Sequence, residues 1–132
     1  MFEQLDVRTP AHACLVDITA QVQQAVSRSG VQEGVCHVYV PHTTAGLTFN
    51  ENADPDVRSD MLKALDRAVP WRGDYDHAEG NSAAHVKASM LGFSHFVLVV
   101  GGQLRLGTWQ GIYLAEFDGP RSRKVWVKVV AG

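Results

Sequence analysis

The sequence has few cysteines, no excess of positive charge and no long apolar segment, and each shortage excludes a class of protein. Two cysteines in 132 residues cannot build a disulfide framework. Because Cys14 and Cys36 lie in apolar, strand-like segments, free thiols are favoured over a disulfide. No segment approaches the roughly 18 apolar residues that cross a bilayer, and the first residues do not have the pattern of a secretion signal. We therefore expect a soluble, cytoplasmic protein with no membrane partner.

Positive charge is balanced by negative charge, with 12 lysines and arginines against 14 aspartates and glutamates. Proteins that bind the phosphate backbone usually carry a clustered basic surface. We therefore predict no nucleic-acid partner. The length and the 45% share of hydrophobic residues predict a single domain over residues 1–132 with one core.

Apolar periodicity and turn residues predict the order ββαββααββββ. This order favours an α+β fold of two layers, with an antiparallel or mixed sheet and helices on one face. Asp54-Pro55 predicts a helix start, and Gly101-Gly102 predicts a tight hairpin. The continuous apolar run Phe96 to Val100 predicts a strand buried on both faces.

Three of the six histidines lie outside the predicted strand interiors, among small and polar residues: His42, His77 and His85. Neutral imidazole is the most common transition-metal ligand, and three imidazoles leave a coordination position for water or substrate. Their spacing matches no standard metal motif. On the residues alone, ordinary polar histidines remain the alternative to a metal site.

Acidic and amide side chains crowd the chain between a predicted strand and the next helix: Asn50, Glu51, Asn52, Asp54 and Asp56. Helix capping accounts for one of them, and the others belong either to the turn or to a site. Glu116 shares a strand face with Ile112 and Leu114. A carboxylate on an apolar face needs a partner, so Glu116 either pairs with Arg121 or Arg123 or belongs to a site.

Two further polar features are open to two interpretations. Thr108 and Gln110 lie between Gly107 and Gly111, and glycines in a strand indicate close approach of a ligand or a neighbouring subunit. Lys87 offers a cation on the short helix, although a solvated helix face is the simpler interpretation. The sequence contains no glycine-rich phosphate loop and no nucleophile elbow.

Taken together, the polar segments resemble the hallmark motifs of the YjbQ-like family. They are His42–Thr48 with Asn50–Val57, then His77–Ser89, then Gly107–Tyr113 with Glu116–Arg121. The resemblance covers essentially the whole chain. It implies a small α+β domain that assembles as a homotrimer.

The resemblance also implies thiamine-phosphate synthase activity, as a main or a secondary activity. In that reaction a pyrimidine diphosphate joins a thiazole phosphate and pyrophosphate leaves, so cations and N–H donors are needed at phosphate oxygens. The resemblance makes His42, His77 and His85 the expected ligands of a divalent metal, either zinc or a similar ion, with Mg²⁺ as a second candidate. The expected catalytic residues are Glu51, Asp54 and Glu116. The expected ligand-binding residues are Thr43, Thr44, Asn50, Asn52, Lys87, Thr108, Gln110 and Arg121.

Two other functions stay open at this point. A metal bound by histidines can generate hydroxide near neutral pH, which would suit a hydrolase of a small phosphorylated or acylated metabolite. The chain can also be a trimeric binding module without catalytic activity, whose polar cluster joins the subunits.

Overall fold

The computed structural model describes residues 2–132, and its elements follow the predicted order. The order ββαββααββββ is therefore confirmed. The elements are β1 (Phe2–Arg8), β2 (Cys14–Asp17), α1 (Thr19–Ser29), β3 (Glu33–Tyr39), β4 (Ala45–Glu51), α2 (Pro55–Ala68), α3 (Ser82–Leu91), β5 (Ser94–Val100), β6 (Gln103–Leu104), β7 (Gln110–Glu116) and β8 (Ser122–Ala131).

The strands form two antiparallel sheets. One has five strands in the order β1-β8-β3-β5-β6, and the other has three in the order β2-β7-β4. The α+β fold class is confirmed, and the choice between antiparallel and mixed pairing is settled as antiparallel.

Strand β7 is the centre of the molecule because both of its faces are buried. Ile112 and Leu114 face the main core, which also contains the inner face of the five-stranded sheet and residues of α1. Ala115 and Phe117 face the other way and pack against α3 and apolar side chains of α2. The three-stranded sheet therefore lies between the larger sheet and this helical layer.

Local sequence signals account for the ends of the helices. Asp54 caps α2 by accepting a hydrogen bond from the backbone of Asp56 (2.9 Å), and Pro55 occupies the first turn. Gly30 ends α1 in the left-handed conformation, with φ of 72°. No residue of α2 is fully buried, so this helix packs loosely against its neighbours.

The outer face of the five-stranded sheet is exposed and rich in large apolar side chains. The prediction that Phe96 to Val100 is buried on both faces is wrong for the single chain, because Phe96 is 62% exposed and Leu98 is 51% exposed. Tyr39 and Trp126 stack at 5.7 Å on the same face, and Phe2 contacts Trp126 edge-on at 6.0 Å. One chain therefore leaves a broad apolar surface without cover.

Helices long and apolar enough to span a membrane are absent from the part of the chain that the structure describes.

Candidate functional site

One chain does not bring the three expected metal ligands into a common pocket. The rings of His77 and His85 meet edge to face, with centroids 5.4 Å apart. His42 lies elsewhere, in a cavity that it lines together with Tyr39 and Trp126. Across residues 2–132, no three side chains of His, Cys, Asp or Glu are grouped so that they could hold a metal ion.

His42 is also engaged in a way that does not suit a metal ligand. Its Nε2 atom accepts a hydrogen bond from the backbone N–H of Lys124 (2.8 Å), so the ring proton resides on Nδ1. Burial, followed by the nearby charge of Arg123, lowers the pKa of this imidazole. His42 is thus a neutral residue that joins the end of β3 to the start of β8.

The pair His77 and His85 is more accessible. His77 lies in the loop before α3 with 43% of its side chain exposed, and its Nε2 is 4.0 Å from Glu79. The structure thus offers two adjacent imidazoles beside an exposed carboxylate. Two imidazoles do not complete the three-histidine set, so metal binding stays a prediction.

Glu116 forms a buried ion pair and does not contact solvent. It is 0% exposed. Its Oε1 accepts hydrogen bonds from Thr9 Oγ1 (2.8 Å) and Arg123 Nε (2.8 Å). Its Oε2 accepts hydrogen bonds from the Asp118 backbone (3.0 Å) and from Arg123. Arg123 also donates to Thr44 Oγ1 (2.8 Å), which fixes the chain just before β4.

This network gives Glu116 a structural role, and its expected catalytic role stays a prediction. Burial alone would raise the pKa of Glu116, but the hydrogen bonds from Arg123, Asp118 and Thr9 outweigh it and lower the pKa. Of the two arginines proposed as its partner, Arg123 is the one present. The physical reason is that inward positions of β7 and β8 face each other between the two sheets, where a lone carboxylate would be too costly. Glu116 therefore links Thr9, Asp118 and Arg123 and stabilises the fold.

A second polar cluster lies at the turn that follows β7. Asp118 Oδ2 accepts hydrogen bonds from Asn81 Nδ2 (2.9 Å) and from Arg121 NH2 (3.0 Å), and its backbone carbonyl accepts one from Arg121 Nε (2.7 Å). Burial would raise the pKa of Asp118, but these hydrogen bonds outweigh it and lower the pKa. Arg121 is therefore held firmly, although its side chain is 51% exposed.

Asn81 in this cluster carries a buried oxygen that lacks a partner. Within residues 2–132, Oδ1 of Asn81 is one of the few buried polar atoms without a hydrogen bond. Asn81 also stands at the N-cap of α3 without making a side-chain cap bond. Asn81 and Asp118 are absent from the predicted site residues, because a helix cap and a turn account for such side chains without a ligand. Their position inside the motif segments is the signal that could have identified them.

The acidic segment after β4 is used mainly by its own turn. Glu51 Oε2 accepts hydrogen bonds from the backbones of Ala53 (3.0 Å) and Asp54 (3.4 Å), and Asp54 caps α2. Asn50 Oδ1 accepts a hydrogen bond from the backbone of Glu51 (2.7 Å). These contacts give Glu51, Asp54 and Asn50 local structural roles. Their expected catalytic or binding roles stay predictions.

The remaining predicted binding residues are dispersed. Asn52 donates to the Gln110 carbonyl (3.3 Å), and Gln110 Oε1 accepts from the Gly107 backbone (2.9 Å), so both brace the start of β7. Thr43 and Thr108 are exposed. Lys87 is 5% exposed, so the interpretation of a solvated helix face is wrong for this lysine.

The chain is similar to known proteins over nearly its whole length. The family model described as "UPF0047 protein YjbQ-like" matches residues 3–132. The chain belongs to the YjbQ-like family. Its relatives include UPF0047 protein YugU of Bacillus subtilis, which is 48% identical over 131 residues, covering 98% of this chain and 99% of YugU. A UPF0047 protein of Methanocaldococcus jannaschii is 46% identical over 130 residues, covering 98% of this chain and 94% of the relative.

Solved YjbQ-like structures share the whole architecture. A crystal structure of an uncharacterised family member from Clostridium acetobutylicum is 53% identical and aligns with a TM-score of 0.95, covering 97% of this chain and 99% of that one. A protein of unknown function from Sulfolobus solfataricus is 35% identical, also with a TM-score of 0.95, covering 100% of this chain and 97% of that one. The fold described above is thus shared with solved structures of YjbQ-like proteins.

Proposed function

We propose that this chain is an enzyme of small phosphorylated metabolites, with thiamine-phosphate synthase-type condensation as a main or secondary activity. The observation that supports this most is Arg121, whose guanidinium is half exposed yet held by two hydrogen bonds to Asp118. A guanidinium that is oriented before the ligand arrives binds phosphate with little further loss of side-chain entropy.

The neighbouring groups add to this support. The acceptor Oδ1 of Asn81 is buried and unpaired in the described chain, so a ligand N–H or O–H would satisfy it. In the condensation, negative charge grows on the leaving pyrophosphate, and Arg121 is placed to stabilise that charge. Asp118 stays ionised because its pKa is lowered; it orients Arg121 and does not transfer a proton.

A condensation assay with a matched pair of arginine variants tests the proposal. The pyrimidine diphosphate and the thiazole phosphate are incubated with the protein and a divalent metal, and the product is measured. We expect Arg121→Ala to lower the rate by about tenfold or more, because a charge-assisted contact to phosphate is lost. Arg105→Ala removes an exposed arginine elsewhere and should leave the rate unchanged.

Two results would contradict the proposal. One is the absence of product under all metal conditions; the other is equal rates for the two arginine variants. Release of inorganic phosphate from simple phosphate esters, without condensation, would instead favour the hydrolase alternative.

The divalent metal is a separate part of the proposal. Of its three expected ligands, His77 and His85 lie together and His42 lies elsewhere in the described chain. Elemental analysis of the purified protein is the direct test, with His77→Gln/His85→Gln as the variant and His37→Gln as an exposed control. Metal that is lost only in the double variant would support this pair as ligands, and metal-free wild-type protein would contradict it.

We propose in addition that the chain works as a homotrimer. The exposed apolar face around Tyr39, Phe96 and Trp126 supports assembly, because patches of this kind on soluble proteins usually mark interfaces. Light scattering should give three times the 14.4 kDa of one chain, and a single-chain mass would contradict the proposal. A cytoplasmic location likewise stays a prediction.

A further inference from the structure

A cavity of about 400 Å³ lies beside the Asp118 turn, between α2, α3 and the segment before β2. This volume falls within the range of small-molecule binding sites. Phe117 in its wall directly precedes Asp118, and the carbonyl of His12, another wall residue, accepts a hydrogen bond from the Gly119 backbone (3.0 Å). The cavity walls include His12, Leu62, Asp66, Trp71, Lys87 and Phe117.

Lys87 supplies a buried cation to this cavity. Only 7% of its side chain is exposed, and its Nζ lies 3.5 Å from Asp66 Oδ1. It also lies 5.9 Å from the centre of the Phe117 ring. An ammonium has three hydrogens to donate, and the side chains of residues 2–132 offer it no closer acceptor.

The contact with Asp66 does not compensate this buried charge well. The distance of 3.5 Å exceeds a good charge-assisted hydrogen bond, and Asp66 is 72% exposed, so water competes for its carboxylate. An ammonium on a largely buried side chain with so weak a partner is costly. An anion that enters the cavity would satisfy it.

Aromatic rings form the other walls. His12 and Trp71 meet edge to face, with centroids 4.4 Å apart and planes at 84°, and Phe117 lies under Lys87. Rings at right angles offer both a face and an edge to a flat partner. The cavity therefore combines aromatic and aliphatic walls with charged side chains of α2 (Lys63 and Asp66) and with the cation of Lys87 from α3.

We propose that this cavity binds a planar aromatic anion, such as an aryl phosphate or an aryl carboxylate. The anionic group lies against Lys87 Nζ, and the ring lies between Trp71 and Phe117. The site is distinct from Arg121, and its occupation does not depend on whether the chain catalyses a condensation.

Titration with phenyl phosphate tests the site, with methyl phosphate and phenol as the separate halves of the probe. Calorimetry gives the affinity in the unmodified protein. Tryptophan emission in a Trp109→Phe/Trp126→Phe background locates the ligand, because Trp71 is then the one remaining tryptophan. We expect phenyl phosphate to bind more tightly than either half and to change the emission of Trp71.

Three variants separate a binding role of Lys87 from a structural one. Lys87→Met should weaken binding by about tenfold or more, because a charged contact is lost. Lys128→Met, at an exposed position of β8, changes net charge equally and should have no effect. Asp66→Asn removes the competing carboxylate and should tighten binding, which a loosened structure would not do.

Several results would contradict parts of the proposal. No heat and no change in Trp71 emission with phenyl phosphate would reject the site. Equal weakening by Lys87→Met and Lys128→Met, or weaker binding in Asp66→Asn, would reject the role of Lys87. Methyl phosphate binding as tightly as phenyl phosphate would reject the aromatic specificity. Binding without any condensation activity would support this site and contradict only the proposed reaction.

Discussion

Two polar clusters lie on either side of Phe117, and they differ in what surrounds them. The first cluster is built on Glu116, which directly precedes Phe117. Glu116 and its partner Arg123 are buried, and each oxygen of the Glu116 carboxylate has two hydrogen-bond donors. After Phe117, Asp118 holds an Arg121 side chain that is half exposed, beside an Asn81 oxygen without a partner. A saturated buried pair supports the fold, whereas an oriented, half-exposed guanidinium beside an unsatisfied acceptor can receive a ligand.

Removing one partner of the buried pair should have the largest effect of any change. Glu116→Leu leaves the guanidinium of Arg123 buried without a counterion, so the free energy of unfolding should fall by about 3–5 kcal/mol. The double variant Glu116→Leu/Arg123→Met removes both charges and should recover most of the loss. Urea denaturation measures both. Glu79→Leu in the exposed loop is the control, and an equal loss there would contradict the comparison.

Acidification should reveal how much the Glu116–Arg123 pair contributes to stability. The pKa of Glu116 is lowered from its ordinary 4.5, so below that pH the native state binds fewer protons than the unfolded chain. The stability that the pair contributes is complete above this pH and is lost as pH falls through the native pKa. Wild type should therefore lose stability on acidification more steeply than the double variant. Parallel pH profiles would show that Glu116 is not the group responsible.

The acidic turn after β4 should show a smaller structural effect. Asp54→Ala removes the cap of α2 and should lower the free energy of unfolding by about 1 kcal/mol. Asp54→Asn retains an acceptor oxygen and should restore most of it. If Asp54→Asn were as unstable as Asp54→Ala, the capping role assigned here would be wrong.

His42 should titrate with a lowered pKa, as Glu116 of the buried cluster does. Its lowered pKa means that the neutral form predominates over the charged form at pH 6.5, the ordinary midpoint of a histidine. Histidine ring signals followed by NMR against pH should place this midpoint lower. A His42 midpoint at or above 6.5 would contradict its role as the acceptor for Lys124.

The accessible histidines should matter least to stability. His77→Gln and His85→Gln should each change the free energy of unfolding by less than about 0.5 kcal/mol, because neither side chain has a buried hydrogen bond. Urea denaturation measures this as well. A loss comparable to that of Glu116→Leu would show that the loop before α3 belongs to the core.

The sequence predicted the order of elements because periodicity, prolines and glycines are local signals. It could not assign β2, β4 and β7 to a separate sheet, since strand pairing depends on distant parts of the chain. The same limit applied to the site: the sequence placed Glu116 inward with Arg121 or Arg123 as its partner, but only the two-sheet arrangement selects Arg123. The exposure of alternate residues of β5 could not be predicted, because an apolar run does not distinguish a core strand from a strand with one exposed apolar face.

Residue roles within the motifs were the hardest to predict. His42, His77 and His85 share a residue type, yet His42 accepts a backbone hydrogen bond, whereas the rings of His77 and His85 contact each other. Lys87 looked like a surface residue, because nothing near it in sequence reveals a cavity formed by α2 and Trp71.

The most direct test of the central claim is a backbone amide NMR titration with inorganic pyrophosphate. We expect the largest chemical-shift changes at Asn81, Asp118 and Arg121, with little change at His37 and Lys128 on the exposed face of the five-stranded sheet, and no such response in Arg121→Ala. Changes confined to other parts of the chain, or a response that survives in Arg121→Ala, would contradict the account.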